Sequence, residues 1–226
     1  MIVSTAAGWA VALAVLIAAS VAAHGEGRMW ARRAVALLAL YLIALALADW
    51  LLPPPWAPWG AVLAAFAVLL TAQPFIALGL LKREEIGLNA PRAGSMRVVV
   101  IAIGLALLLN VVIMLVRGAA PVRLGAGAVA AVMVGAVLEE IVFRGVLLAL
   151  LDRALPQRWR LAGAYVGWGG VALTASFVAL HGLRPGLLLG VVPAALLYLW
   201  LRERTGSLLA PIAAHLAWNL SVLLVH

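Results

Sequence analysis

The sequence predicts an all-α fold: a polytopic membrane helix bundle of about eight transmembrane helices, with both termini outside. Three observations predict it. The 226-residue chain is 67% hydrophobic and only 11% charged, which leaves too little polar surface for a soluble domain. Apolar runs of about 20 residues recur along its length, each able to cross a hydrocarbon core roughly 30 Å thick. The basic side chains also alternate between connections. Twelve of them, from Arg28 to Arg204, fall in the first, third, fifth and seventh, whereas the second, fourth and sixth hold only Arg117, Arg123 and Arg184. By the positive-inside rule the odd connections are cytoplasmic.

The predicted crossings are 1–23, 34–52, 58–81, 98–116, 124–151, about 165–182, 185–201 and 208–226. The first, "MIVSTAAGWAVALAVLIAASVAAH", has no positive side chain ahead of its apolar run, so it is expected to be an uncleaved helix rather than a signal peptide. "LLPPPWAPWG" (51–60) is a Pro/Trp corner at a membrane interface. The longest polar stretch is "KREEIGLNAPRAGSMR" (82–97). It is the seam between an N-terminal three-helix membrane part with its cytoplasmic loop (1–97) and the remaining membrane core (98–226).

Composition also excludes several function classes. With no cysteine, there are no disulfides and no thiolate metal sites. The net charge of +8 is scattered through short loops without a basic stripe, so the expected partner is the lipid bilayer and no nucleic acid. The expected location is an integral one, in a bacterial cytoplasmic (inner) membrane.

Against this background "VLEEIVFRG" (137–145) stands out, because a charge at the bilayer centre costs on the order of 3 kcal/mol or more. Glu140 and Arg144 are spaced i, i+4 with the acid first, so they can neutralise each other along one helix face. Glu139 is rotated about 100° from Glu140 and has no partner on its own helix. An unpartnered carboxylate in a low-dielectric site suits a general base or acid; the plainer alternative is a polar lock between helices. Two further helix faces carry polar pairs at the same spacing: Phe177 with His181, and His215 with Asn219. His24 and His226 fall in a loop and at the chain end, as bystanders.

Depth decides whether these faces meet. Glu139 lies 13 residues before Asp152, about 20 Å from the cytoplasmic boundary, and His215 lies 11 past Arg204, about 17 Å. His181 would sit about 31 Å deep if its helix began at Arg160. The three levels agree only if the sixth span starts late. "RLAGAYVGWGG" is expected to supply that delay by lying along the interface and turning inward at Gly169–Gly170, with "GLRPG" (182–186) as a sunken turn.

The remaining chemistry is bounded by elimination. There is no H-E-x-x-H helix, the two aspartates (Asp49 and Asp152) lie at helix ends, and no serine sits in a G-x-S-G setting with a partner histidine. What is left is a carboxylate and a histidine activating water, with other donors stabilising an oxyanion.

The ordered motifs E-E-x-x-x-R (Glu139, Glu140, Arg144), F-x-x-x-H (Phe177, His181) and H-x-x-x-N (His215, Asn219) resemble those of the CPBP family, the membrane proteins related to type II CAAX prenyl proteases and to bacterial Abi and bacteriocin-immunity proteins. The flanks "EEIVFRGVLLALL" and "LYLWLRERTGSLLAPIAAHLAWN" match as well, over roughly 124–226, with "EEIGL" (84–88) a weaker match upstream. The resemblance implies a glutamate-dependent intramembrane endopeptidase acting on a membrane-associated peptide or protein. It implies Glu139 as general base, His181 assisting water activation, His215 and Asn219 as the oxyanion hole, and Glu140, Arg144 and Phe177 in support. No cofactor is required on this reading; the alternative is zinc held by Glu139, His181 and His215. Two rival readings remain: a non-enzymatic immunity or peptide-binding membrane protein, and a proton-coupled carrier. The absence of an inverted repeat disfavours the carrier.

Overall fold

A computed structural model of the chain describes residues 6–54, 56–117 and 124–224. Arg123, His226 and the first five residues lie outside them. The chain forms helices α1 (Ala6–Ala22), α2 (Gly27–Leu51), α3 (Gly60–Ala77, entered by a 3-10 turn at Ala57–Trp59), α4 (Arg83–Ile86), α5 (Met96–Arg117) and α6 (Ala126–Glu140). A π-helical turn, Ile141–Leu147, continues α6 into α7 (Leu148–Ala154). A short hairpin of β1 (Arg158–Leu161) and β2 (Ala164–Gly167) follows, then α8 (Trp168–Leu180), α9 (Pro185–Thr205) and α10 (Leu209–Leu224).

Among the described residues, five helical segments are long and apolar enough to cross a membrane: Gly27–Leu51, Ala57–Ala77, Met96–Leu115, Ala126–Ala154 and Pro185–Thr205. Ala6–Ala22, Trp168–Leu180 and Leu209–Val222 are apolar but shorter. The lipid-facing character is plain on α5, where Val100, Ile101, Leu105, Leu108, Val112 and Leu115 are all exposed. The protein is an all-α membrane bundle carrying one small hairpin.

Packing relies on small residues, as expected where lipid offers no hydrophobic contrast and backbones must approach closely. α1 packs on α2 and α8, α2 on α3 and α7, and α10 on α5, α6 and α9. Ala12, Ala34, Ala64, Ala65 and Ala72 are fully buried in the main core cluster. Ser176 of α8 stitches the first contact by donating to the carbonyls of Ala12 and Ala172, both at 3.0 Å. That core contains Leu16, Leu38 and Val68 alongside Phe143, Leu150 and Leu173, so packing is continuous across the polar seam at 82–97.

The helix expected as the sixth span does start late, at Trp168. The delay comes from the β1–β2 hairpin, with Arg158 opposite Gly167, rather than from a segment lying along the interface. The hairpin closes through Ala162 and Gly163, both left-handed (φ 48° and 79°), the backbone signs of a two-residue turn whose twist suits paired strands. From Trp168 to His181 is 13 residues, about 20 Å of helix, which brings the histidine to the level of Glu139.

Candidate active site

The site is assembled where α6 widens into the π-helical turn. Gly145 lies inside that turn because α4 crosses it closely: a Cβ there would sit 3.0 Å from Ile86 Cγ2 and 3.3 Å from the Ile86 carbonyl oxygen. π-Helical turns inside α-helices are found frequently at functional sites. Here the turn begins directly after Glu139 and Glu140 and contains Phe143 and Arg144.

Glu140 is wholly buried, and one of its oxygens carries two partners. Oε1 accepts from Arg144 Nη1 at 3.1 Å and from His215 Nδ1 at 2.9 Å. Aromatic rings enclose this cluster. The Arg144 guanidinium lies 3.9 Å from the centre of the Phe177 ring and 5.4 Å from that of Tyr198. Tyr198 in turn stacks on His215 at 4.8 Å and 23°. Phe177 contacts Phe143 edge-on at 5.3 Å, and Tyr41 of α2 meets Phe143 at 5.5 Å. Desolvated cation–π contacts are worth about 2 kcal/mol each, so the rings compensate part of the cost of burying Arg144.

Glu139 differs. It is also buried, but its side chain accepts no hydrogen bond from any described residue. Its charge acts through space on Tyr41, His181 and Tyr198, which places it beside the cluster without binding it there. His181 ends α8; its Nδ1 is 2.9 Å from the Phe177 carbonyl, and its ring lies 4.5 Å from the Phe177 ring. A carbonyl only accepts, so Nδ1 of His181 carries the proton and the neutral ring offers its Nε2 lone pair. The Glu140 carboxylate facing His215 Nδ1 likewise fixes a proton on that nitrogen. Asn219 is half-buried one turn beyond His215 on α10 and makes no hydrogen bond with a described residue.

The structure therefore gathers Glu139, Glu140, Arg144, Phe177, His181 and His215 at one level, with Asn219 on the adjoining turn. Among the described residues, no group of three His, Asp or Glu side chains is close enough to hold a metal ion, and Glu139, His181 and His215 do not form one. These residues do not fit a zinc site as arranged. Tyr198 and Tyr41 went unnoticed in the sequence. Tyr198 had one available signal, an isolated phenol in an apolar helix four residues before Arg202, on the same face.

A second polar cluster closes the charged end of the bundle. Arg202 of α9 donates through Nε to the Arg144 carbonyl (3.1 Å) and through Nη2 to the Glu85 carbonyl (2.6 Å), tying the π-turn to α4. Arg153 grips the Glu85 carboxylate with Nε at 3.0 Å and Nη2 at 2.7 Å. Arg158 pairs with both Asp152 and Glu203. Partial burial pushes the Glu85 carboxyl up, but the Lys82 amide and the Arg153 guanidinium outweigh it and hold it below the usual carboxylate range. A cavity of about 430 Å³ opens among these residues, not at Glu139.

Comparison with known proteins adds one finding. Residues 121–221 match the family model of type II CAAX prenyl endopeptidase Rce1-like proteins, a stretch holding all three motifs. No curated protein and no solved structure matches the chain.

Proposed function

We propose, from the match of residues 121–221 to the Rce1-like type II CAAX prenyl endopeptidases, a family of proteases, that this chain is a glutamate-dependent intramembrane endopeptidase. One observation carries the reading. Of two adjacent buried glutamates, Glu140 is held through Oε1 by Arg144 and His215, while Glu139 is left free of hydrogen bonds with the described residues. A carboxylate that holds no donor is ready to accept a proton from water.

In the proposed reaction a water positioned by His181 Nε2 gives its proton to Glu139 as its oxygen bonds to the scissile carbonyl carbon. The C=O electron pair moves onto oxygen. Asn219 Nδ2 and His215 stabilise this oxyanion. When the C–N bond breaks, the proton on Glu139 passes to the departing amine. General-base help of this kind contributes typically 10²–10⁴-fold, and each oxyanion donor about 10²–10³-fold.

The substrate class is a membrane-associated peptide or protein. The proposed topology is eight crossings with both termini outside, in a bacterial cytoplasmic membrane, the three shorter apolar helices completing the count. No metal is assigned. The test uses purified protein in bilayers with peptides bearing prenylated or unprenylated carboxyl-terminal tails. Glu139→Ala and His215→Ala should each abolish cleavage, Glu139→Ala without lowering the yield of folded protein, and a chelator should leave wild-type cleavage intact. Cleavage surviving in both variants would remove the catalytic assignment.

A further inference from the structure

At the charged end of the bundle the turn between α1 and α2 presents an open cavity of about 510 Å³, lined by Gly25, Arg28, Met29, Arg32, Arg33 and Ala36. We propose that this cavity binds the phosphate headgroup of an anionic lipid of the cytoplasmic leaflet.

Helical spacing sets up the surface. Arg28 with Arg32, and Met29 with Arg33, are i, i+4 pairs that share one side of α2. The other side is committed to the bundle, where Ala31 is buried against Ala154 and Leu155. Contact there is so close that a Cβ on Gly27 would meet the Ala154 carbonyl oxygen at 2.6 Å. The arginine side is thus held outward by the fold.

Charge balance points to an anion. No acidic side chain lines the cavity, and none of its three arginines forms an ion pair with a described residue. Elsewhere at this end Arg153 and Arg158 are both paired with carboxylates. Arg28 spends only Nε, on the Ala23 carbonyl at 3.3 Å. Arg33 is pre-positioned, its guanidinium 4.5 Å from the centre of the Trp30 ring and 5.2 Å from that of Phe75. Its Nη1 is buried with no hydrogen-bond partner among the described residues. A planar donor fork held still by rings is well suited to bidentate contact with phosphate oxygens.

Depth and lining select a lipid over a free ion. The apolar run of α2 begins at Ala34, immediately after Arg33, so the three guanidiniums sit at the border of hydrocarbon and headgroups. Met29, 43% exposed, and Ala36 give the same cavity an apolar wall for the glycerol and upper acyl chain.

The experiment counts lipids retained by the purified full-length protein, by native mass spectrometry, after exchange from mixed micelles of phosphatidylglycerol and phosphatidylcholine. Wild type should retain phosphatidylglycerol in preference to phosphatidylcholine, and Arg28→Gln/Arg32→Gln should weaken that retention roughly tenfold or more. Arg83→Gln/Arg97→Gln, which removes the same charge from exposed positions elsewhere, should behave as wild type. Equal losses in both double variants would show a diffuse field instead of a site. Retention of both lipids alike, or displacement of phosphatidylglycerol by millimolar inorganic phosphate, would also overturn the proposal.

Discussion

Two clusters of charge lie about three turns apart along α6 to α7, and they use the same residue types to different ends. At the charged end, Glu85, Asp152 and Glu203 are each gripped by an arginine, Glu85 and Asp152 in positions partly open to solvent and Glu203 buried. At membrane depth, Glu140 is held by Arg144 and His215 with almost no exposure, while Glu139 beside it has no donor among the described residues. Full pairing is what a structural clamp needs. A clamp with one carboxylate left over is what catalysis needs, because a base already holding hydrogen bonds is a poor proton acceptor. The difference also sets the scale of mutational effects, since pairs screened by water contribute little and buried ones cannot lose a partner cheaply.

The largest effect is expected at the buried clamp. Arg144→Ala leaves Glu140 in an apolar setting with only His215, and should lower stability by about 3–5 kcal/mol. Thermal unfolding in detergent measures it; a change under about 1 kcal/mol would mean the two clusters are energetically alike. At the charged end, Arg153→Ala should cost no more than about 1 kcal/mol, and the cost should shrink in high salt. This comparison sharpens with pH. Because the Glu85 carboxyl is held below its unfolded value, its contribution is complete at neutral pH and is lost as pH falls through that lowered value. Wild type and Arg153→Ala should therefore converge in stability at acid pH. The smallest effect is expected from Tyr198→Phe, which keeps the stack on His215 and removes a buried hydroxyl that bonds to no described residue. Cleavage and unfolding should match wild type, whereas Tyr198→Ala should impair both.

What the sequence made legible follows from spacing. The Glu140–Arg144 pair, the shared face of Phe177 and His181, and the late start of the sixth span could all be reasoned from helical rise and period. The bond from His215 to Glu140 could not, because 75 residues separate the partners and no local rule orients α10 against α6. The π-turn was hidden for a related reason: a seven-residue change of pitch leaves the apolar pattern around it intact. "RWRL" and "AYVG" read as interfacial chain because strands of four residues are too short to show alternation. Tyr41 was missed because nothing in the first three helices marks which of their faces meets the motif helices.

The central claim is that adjacent glutamates have divided the work, Glu140 holding the site together and Glu139 doing the chemistry. Glu139→Gln and Glu140→Gln, measured side by side for peptide cleavage and for unfolding midpoint, test it most directly. The account predicts that Glu139→Gln abolishes cleavage while unfolding as wild type does, and that Glu140→Gln unfolds at a clearly lower temperature. Cleavage by Glu139→Gln at the wild-type rate would contradict it.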